Sequence, residues 1–385
     1  MRNFLMLVAV SVLIAACQVH GEMQESSFSC DNFFTFNGSV EMTRKALASN
    51  PEDLAWNWFG CLNQPTGLLS MNRVWENLKP TDQVFLADGS EPLPYAQREP
   101  VPAKVIEIAN TQKMGSGRIF HNLESTQQVD GLILEMGGAV PASQKGLPVR
   151  YQLLMWQDTF NYIINKQVYN VNGQAALTAD LNFPASAWEL KTSWLWIGTD
   201  EEYFKSLQND GYYIVQAYYL DDNGNYQVGF AALSGMHVIN RLTDDWVWST
   251  FENVNNSKYT VTNNIPPTPM TNSTGPTAAA KIANTKFQQT YPALAQYELI
   301  GVQHQAGTEP ILLASSQMES AFQSQSSCMA CHGTAAYSVE KGYFNFALKE
   351  QGGIVYPTKM LPDSDFTGYN KLDFVWSLKR AQWKR

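Results

Sequence analysis

Apolar positions first fall into a helical rhythm, from about Glu41 to Lys79. Asn50-Pro51-Glu52-Asp53 is a helix start, and Leu54, Trp58, Cys61 and Leu62 recur behind it at helical spacing. Trp56, Phe59 and Trp75 make the same stretch aromatic, which reads as a packing face. A proline-rich passage, Glu91 to Pro102, closes it. From about Val105 to Ser257 the pattern is mostly that of strands. Trp188, Leu190, Thr192, Trp194 and Trp196 alternate with Glu189, Lys191, Ser193, Leu195 and Ile197, a period of two with one strongly apolar face. Tyr213 to Leu220 and Tyr226 to Leu233 flank Asp221-Asp222-Asn223-Gly224-Asn225, which predicts a hairpin. Met236 to Ile239 and Trp246 to Phe251 are further strands, separated by a turn at Thr243-Asp244-Asp245. Asn263 to Pro276, rich in Pro, Thr and Asn, predicts a linker or long loop. Helical spacing then returns over Ser315 to Ser327, and again over Thr367 to Ala381, where Leu372, Val375, Trp376 and Leu378 share one side.

These elements predict an α+β chain. A β-rich body, either a sandwich or an open twisted sheet, precedes a small helical C-terminal part. Composition agrees: among 385 residues, 12% are aromatic and only 16% charged, which suits an exported β-rich protein better than a helical bundle. The net charge of −9 without a basic run argues against nucleic acid as a partner.

The chemistry concentrates in Cys328-Met329-Ala330-Cys331-His332. Two thiols three positions apart can add to the two vinyl groups of one porphyrin, and the following imidazole can then reach the iron. The pattern is the attachment signature of one covalent haem c. A zinc site would need a second ligand pair, and no Cys or His follows His332. A redox-active dithiol would leave His332 without a role.

The N-terminus supports export. Arg2 precedes an apolar run from Phe4 to Ala16, which reads as a signal peptide. The run ends in Ile14-Ala15-Ala16-Cys17, a lipobox-like sequence that would make Cys17 the lipidated first residue of a membrane-anchored mature protein. Cleavage after Gly21 is the alternative. Gln18 in place of Asp points to the outer membrane for that anchor. With Cys17 lipidated and two cysteines taken by haem, Cys30 and Cys61 remain. In an oxidising compartment they form a disulfide that closes a loop of about thirty residues.

The two helices around the attachment turn, with Met360-Leu361-Pro362 between them, resemble a truncated class I cytochrome c over about seventy residues. Ser234-Gly235-Met236-His237-Val238-Ile239, Trp246 to Glu252 and the Cys-x-x-Cys-His segment together resemble a group of secreted bacterial monohaem proteins, a β-rich body followed by a C-terminal haem segment. The resemblance implies a signal peptide (1–16), a tether (17–40), a helix-led β-rich domain (41–275), a connecting segment (276–311) and a cytochrome c-like haem domain (312–385).

Candidates for the iron's sixth position are Met360, placed as in the resembled family, and His237 arriving from the β-rich body; His304 and His121 have less context. Glu319 is either a carboxylate behind the haem site or a solvated helix residue. A filled sixth position makes the protein a periplasm-facing electron-transfer cytochrome with a redox partner protein. An open one makes it a haem oxidoreductase whose β-rich domain binds a small-molecule substrate.

Overall fold

The computed structural model describes residues 30–67, 72–115, 117–124, 134–261, 274–307, 312–320, 322–345, 348–350 and 353–385. The signal segment, Cys17 and most of the proline- and threonine-rich linker lie outside the described residues. Within them no helix is long and apolar enough to cross a membrane.

The helical start of the chain is two helices, α1 (Val40–Ser49) and α2 (Pro51–Leu62). Ser39 caps α1 by accepting from the Met42 amide, and Pro51 opens α2 with Glu52 and Asp53 in its first turn, where acidic side chains suit the helix dipole. Leu54, Trp58, Cys61 and Leu62 are buried, as their spacing predicts. Cys61 is bonded to Cys30, with 5.3 Å between the Cα atoms, so the expected disulfide ties the start of the described chain to α2.

Among the described residues the body holds ten strands: β1 (Lys79–Pro80), β2 (Phe120–Asn122), β3 (Glu135–Met136), β4 (Arg150–Met155), β5 (Trp188–Gly198), β6 (Ile214–Leu220), β7 (Tyr226–Asn240), β8 (Val247–Asn253), β9 (Thr260–Val261) and β10 (Tyr297–Gln303). Eight of them form one sheet in the order β1-β4-β5-β7-β6-β2, with β8 on the second half of β7 and β10 on β8. Every pairing on this path is antiparallel except β2 with β6. A single bridge, Glu124 to Tyr151, brings the chain beyond β2 back to β4, so the sheet curls on itself instead of facing a second one as a sandwich would. The predicted hairpin joins β6 to β7. Asp221 accepts from the amides of Asn223 and Asn225, and Gly224 takes the positive φ of 78° that the turn requires.

The body is less purely β than its sequence pattern predicts. Residues from Val105 onward begin in helix α3 (Ala103–Thr111), and α4 (Gln157–Asn165), α5 (Val171–Ala175) and α6 (Glu201–Asn209) lie between strands; α7 (Ala278–Thr290) follows the linker. One sheet face carries the main core, where Trp188, Leu190 and Trp194 of β5 meet Trp56, Trp58 and Phe59 of α2. The opposite face is covered by the C-terminal segment: Met155, Ile239 and Trp248 pack with Met329, Leu372, Val375 and Leu378.

That segment departs most from expectation. The described residues of Ser315–Ser327 form turns and one short 3₁₀ segment, Gln323–Gln325, not the expected helix. Their buried polar groups bond to the sheet, with the Ser316 amide donating to Glu252 at 2.7 Å and the Gln317 carbonyl accepting from Tyr151 at 2.8 Å. Backbone groups committed to side chains of distant strands are not available to the ladder of a helix. Thr367–Ala381 is not an α-helix either. Asp373 and Phe374 take positive φ of 49° and 68°, and only Trp376–Arg380 turns, as a 3₁₀ segment. The buried residues Leu372, Val375, Leu378 and Ala381 are three apart; the Leu372 amide donates to the Ala335 carbonyl, and each of the other three bonds the carbonyl three residues back. That is the 3₁₀ period and not 3.6.

Candidate functional site

Cys328–His332 forms a single short helix, α8. Ser327 caps it by accepting from the Ala330 amide, and Gln303, the last residue of β10, accepts from the Met329 amide at 3.0 Å. The turn is therefore pinned to the sheet edge at its start. Its end is held by the Cys331 carbonyl, which accepts from the Trp376 indole at 3.1 Å and the Thr334 hydroxyl at 2.5 Å. Cys328 and Cys331 are both free thiols, although Cys30 and Cys61 are bonded. Burial pushes the Cys328 thiol far up and Cys331 to about 12. A dithiol oxidoreductase needs a low-lying attacking thiolate, and this environment does the opposite.

His332 is oriented by one bond, from Nδ1 to the Phe374 carbonyl at 2.9 Å. A carbonyl only accepts, so Nδ1 carries the proton and the Nε2 lone pair is left for a ligand. Burial drives the ring down to about 4, against the pull of the Phe374 carbonyl, so it is neutral at physiological pH. The carbonyl is itself held in place. Asp373 accepts from Arg241 Nε at 2.8 Å, the Phe183 amide at 2.6 Å and the Trp246 indole at 3.3 Å. These bonds maintain a left-handed Asp373–Phe374 pair that a bulky residue does not adopt unaided. Trp248 of β8 lies against the His332 ring, with centroids 4.4 Å apart, and Phe322 and Tyr356 pack near Cys331.

On the sheet face that the C-terminal segment covers, near this turn, lies a largely buried polar trio. Lys191, His237 and Thr250 sit side by side on β5, β7 and β8 through the register Lys191↔His237↔Thr250. His237 Nδ1 bonds the Thr250 hydroxyl at 2.9 Å, and Nε2 donates to Glu319 at 3.3 Å. Glu319 also lies 3.9 Å from Lys191 and accepts from the Ser315 amide at 2.8 Å. Burial alone would raise the Glu319 carboxyl; His237, Lys191 and the Ser315 amide more than offset it and hold it at about 2. Burial lowers Lys191, with Glu319 opposing. Lys191 and Glu319 act electrostatically on both Cys328 and His332, so trio and turn form one site.

The remaining sequence candidates separate. Met360 sulfur packs on Gly333, within 2.8 Å of where a Cβ would stand, beside the Met329 carbonyl. Gly333 directly follows α8, and by helical spacing positions 329 and 333 lie on a different side of the turn from Cys328, Cys331 and His332. His121 is enclosed elsewhere, bonded to Gln152 and Glu76. His304 follows Gln303, half-buried, and burial lowers it. Glu319 is buried and paired, not solvated.

Sequence reading missed Lys191, because a charged residue alternating with tryptophans reads as the solvent side of a strand. It also missed the Arg241–Asp373–Phe374 support, for which the sequence carries no local signal. No family model matches the chain, and no curated protein or solved structure matches it either.

Proposed function

We propose that this is an exported monohaem c-type protein, with Cys328 and Cys331 as the thioether attachment residues and His332 Nε2 as the proximal ligand. The observation that carries the reading is the orientation of His332, whose Nδ1 is committed to the Phe374 carbonyl beside two unpaired thiols on one capped turn. When bound, the group supplies one-electron chemistry. The protein's own residues exclude water with Trp248 and Phe374 and hold the imidazole in one tautomer. The haem-bearing segment 312–385 uses the sheet as its second wall. The export signal and Cys17 anchor, with a redox partner protein at the periplasmic side of the membrane, complete the proposal.

Between a closed relay and an iron open to a small ligand, two placements favour the open one. Met360 sulfur lies against Gly333, and both ring nitrogens of His237 are engaged. On this reading the protein is a haem oxidoreductase. Glu319 holds the proton on His237 Nε2, and Lys191 keeps the carboxylate charged beside the site. Acid–acetone extraction should leave haem on the polypeptide, and Cys331→Ala should lose most of it; free haem released from the parent would overturn attachment. Carbon monoxide should shift the spectrum of the reduced protein, with Met360→Ala indistinguishable from the parent. A low-spin spectrum indifferent to carbon monoxide would restore the relay.

A further inference from the structure

A second site lies away from the haem turn. Among the described residues, β2 and β4 are joined not by a ladder but by the Glu124–Tyr151 bridge just beyond β2 and the His121–Gln152 hydrogen bond, and beside them a cavity of about 560 Å³ opens under α3. That volume falls within the range of small-ligand pockets, roughly 300–1,000 Å³. Ile106 of α3, Met114, Phe120 of β2 and Leu154 of β4 give it apolar walls. Two guanidinium groups, Arg98 and Arg118, complete the lining.

Neither arginine has a carboxylate within 4 Å among the described residues. Arg118 donates to the Tyr213 hydroxyl at 3.2 Å, and its buried Nε has no partner. Arg98, exposed, donates to the Asn77 carbonyl. Glu76, which also lines the cavity, is charged, and its oxygens accept from the Arg73 amide, His121 and the Tyr213 hydroxyl. It meets Arg118 only through that hydroxyl, so it leaves the guanidinium edge without a direct carboxylate partner. Glu99 lies exposed beside Arg98. Guanidinium groups with no carboxylate bonded to them at the walls of an apolar cavity can recognise planar oxyanions by paired charge-assisted hydrogen bonds.

We propose that this cavity binds a small organic anion, a carboxylate on an apolar body, with Arg98 and Arg118 engaging the charge and the space under α3 enclosing the body. The inference does not rest on the haem assignment, since no residue of the attachment turn lines the cavity.

Titration calorimetry of the full chain with 2-naphthoate and hexanoate, each against its primary amide, tests it. The acids should bind at least ten-fold more tightly than the amides. Arg98→Gln and Arg118→Gln should each weaken the acids about ten-fold and leave the amides unchanged. Ile106→Trp, at a position 40% exposed, should weaken both by filling the space. Melting temperature checks that Arg118→Gln folds, and exposed Arg98→Gln decides the matter if it does not. Equal binding of acid and amide, unchanged affinity in Arg98→Gln, or no binding by either acid at millimolar concentration would overturn the proposal.

Discussion

Glu252 joins the sheet to the segment that carries the attachment turn, and its replacement by Gln should stabilise the protein above neutral pH. Its carboxyl is 2% exposed and takes the Ser316 amide at 2.7 Å and hydroxyl at 2.5 Å. Burial raises it from an ordinary 4.5 to about 7; the Ser316 bonds oppose that rise, and Glu298 and Glu319 add to it. Below pH 4.5 the carboxyl is protonated in both folded and unfolded chains and has no effect. Between 4.5 and 7 the unfolded chain releases its proton while the folded one does not, so stability falls with rising pH. Above 7 the loss is complete. At 1.36 kcal/mol per pH unit it amounts to about 3 kcal/mol. Gln keeps both contacts, its oxygen accepting from the amide and its NH₂ donating to the hydroxyl, and it never ionises. Urea unfolding of parent and Glu252→Gln at pH 4.5, 6 and 8 should show a gap that opens from near zero to about 3 kcal/mol in favour of the variant. A variant no more stable than the parent at pH 8, or a gap independent of pH, would refute the reasoning. Taking the difference cancels the titration of every group the two proteins share.

Two further outcomes follow from the same structure. Asp373→Ala should destabilise the fold by about 1–3 kcal/mol, because Arg241 (side chain 11% exposed) is left with only exposed Asp244 and Asn182, and the left-handed pair is released; thermal melts measure the first effect, and reduced covalent haem per chain measures the second. Replacing Cys30 and Cys61 together by Ser should cost about 3–4 kcal/mol for a loop spanning 31 residues, read from urea unfolding against the oxidised parent.

Sequence alone determined the features set by local rules. The proline-led helix of Pro51–Leu62, the Asp221–Asn225 hairpin, the alternating strand around Trp188 and the Cys30–Cys61 pair follow from spacing, turn chemistry and cysteine count. The Cys-x-x-Cys-His pattern is equally local, and the structure shows it as one short capped turn with two free thiols. Tertiary structure decided what surrounds it. Lys191 and His237 are cross-strand neighbours 46 residues apart, and Glu319 reaches them only because the C-terminal segment folds back over that face. The same fold-back explains the misread helices. Ser316 and Gln317 bond to the sheet, and Asp373 is held by Arg241, so interactions with distant strands outweigh the helical preference their spacing suggested. Periodicity reports which side of an element is buried, but not what buries it. For that reason a lysine that alternates with tryptophans along a strand lies beside the Cys328–His332 turn.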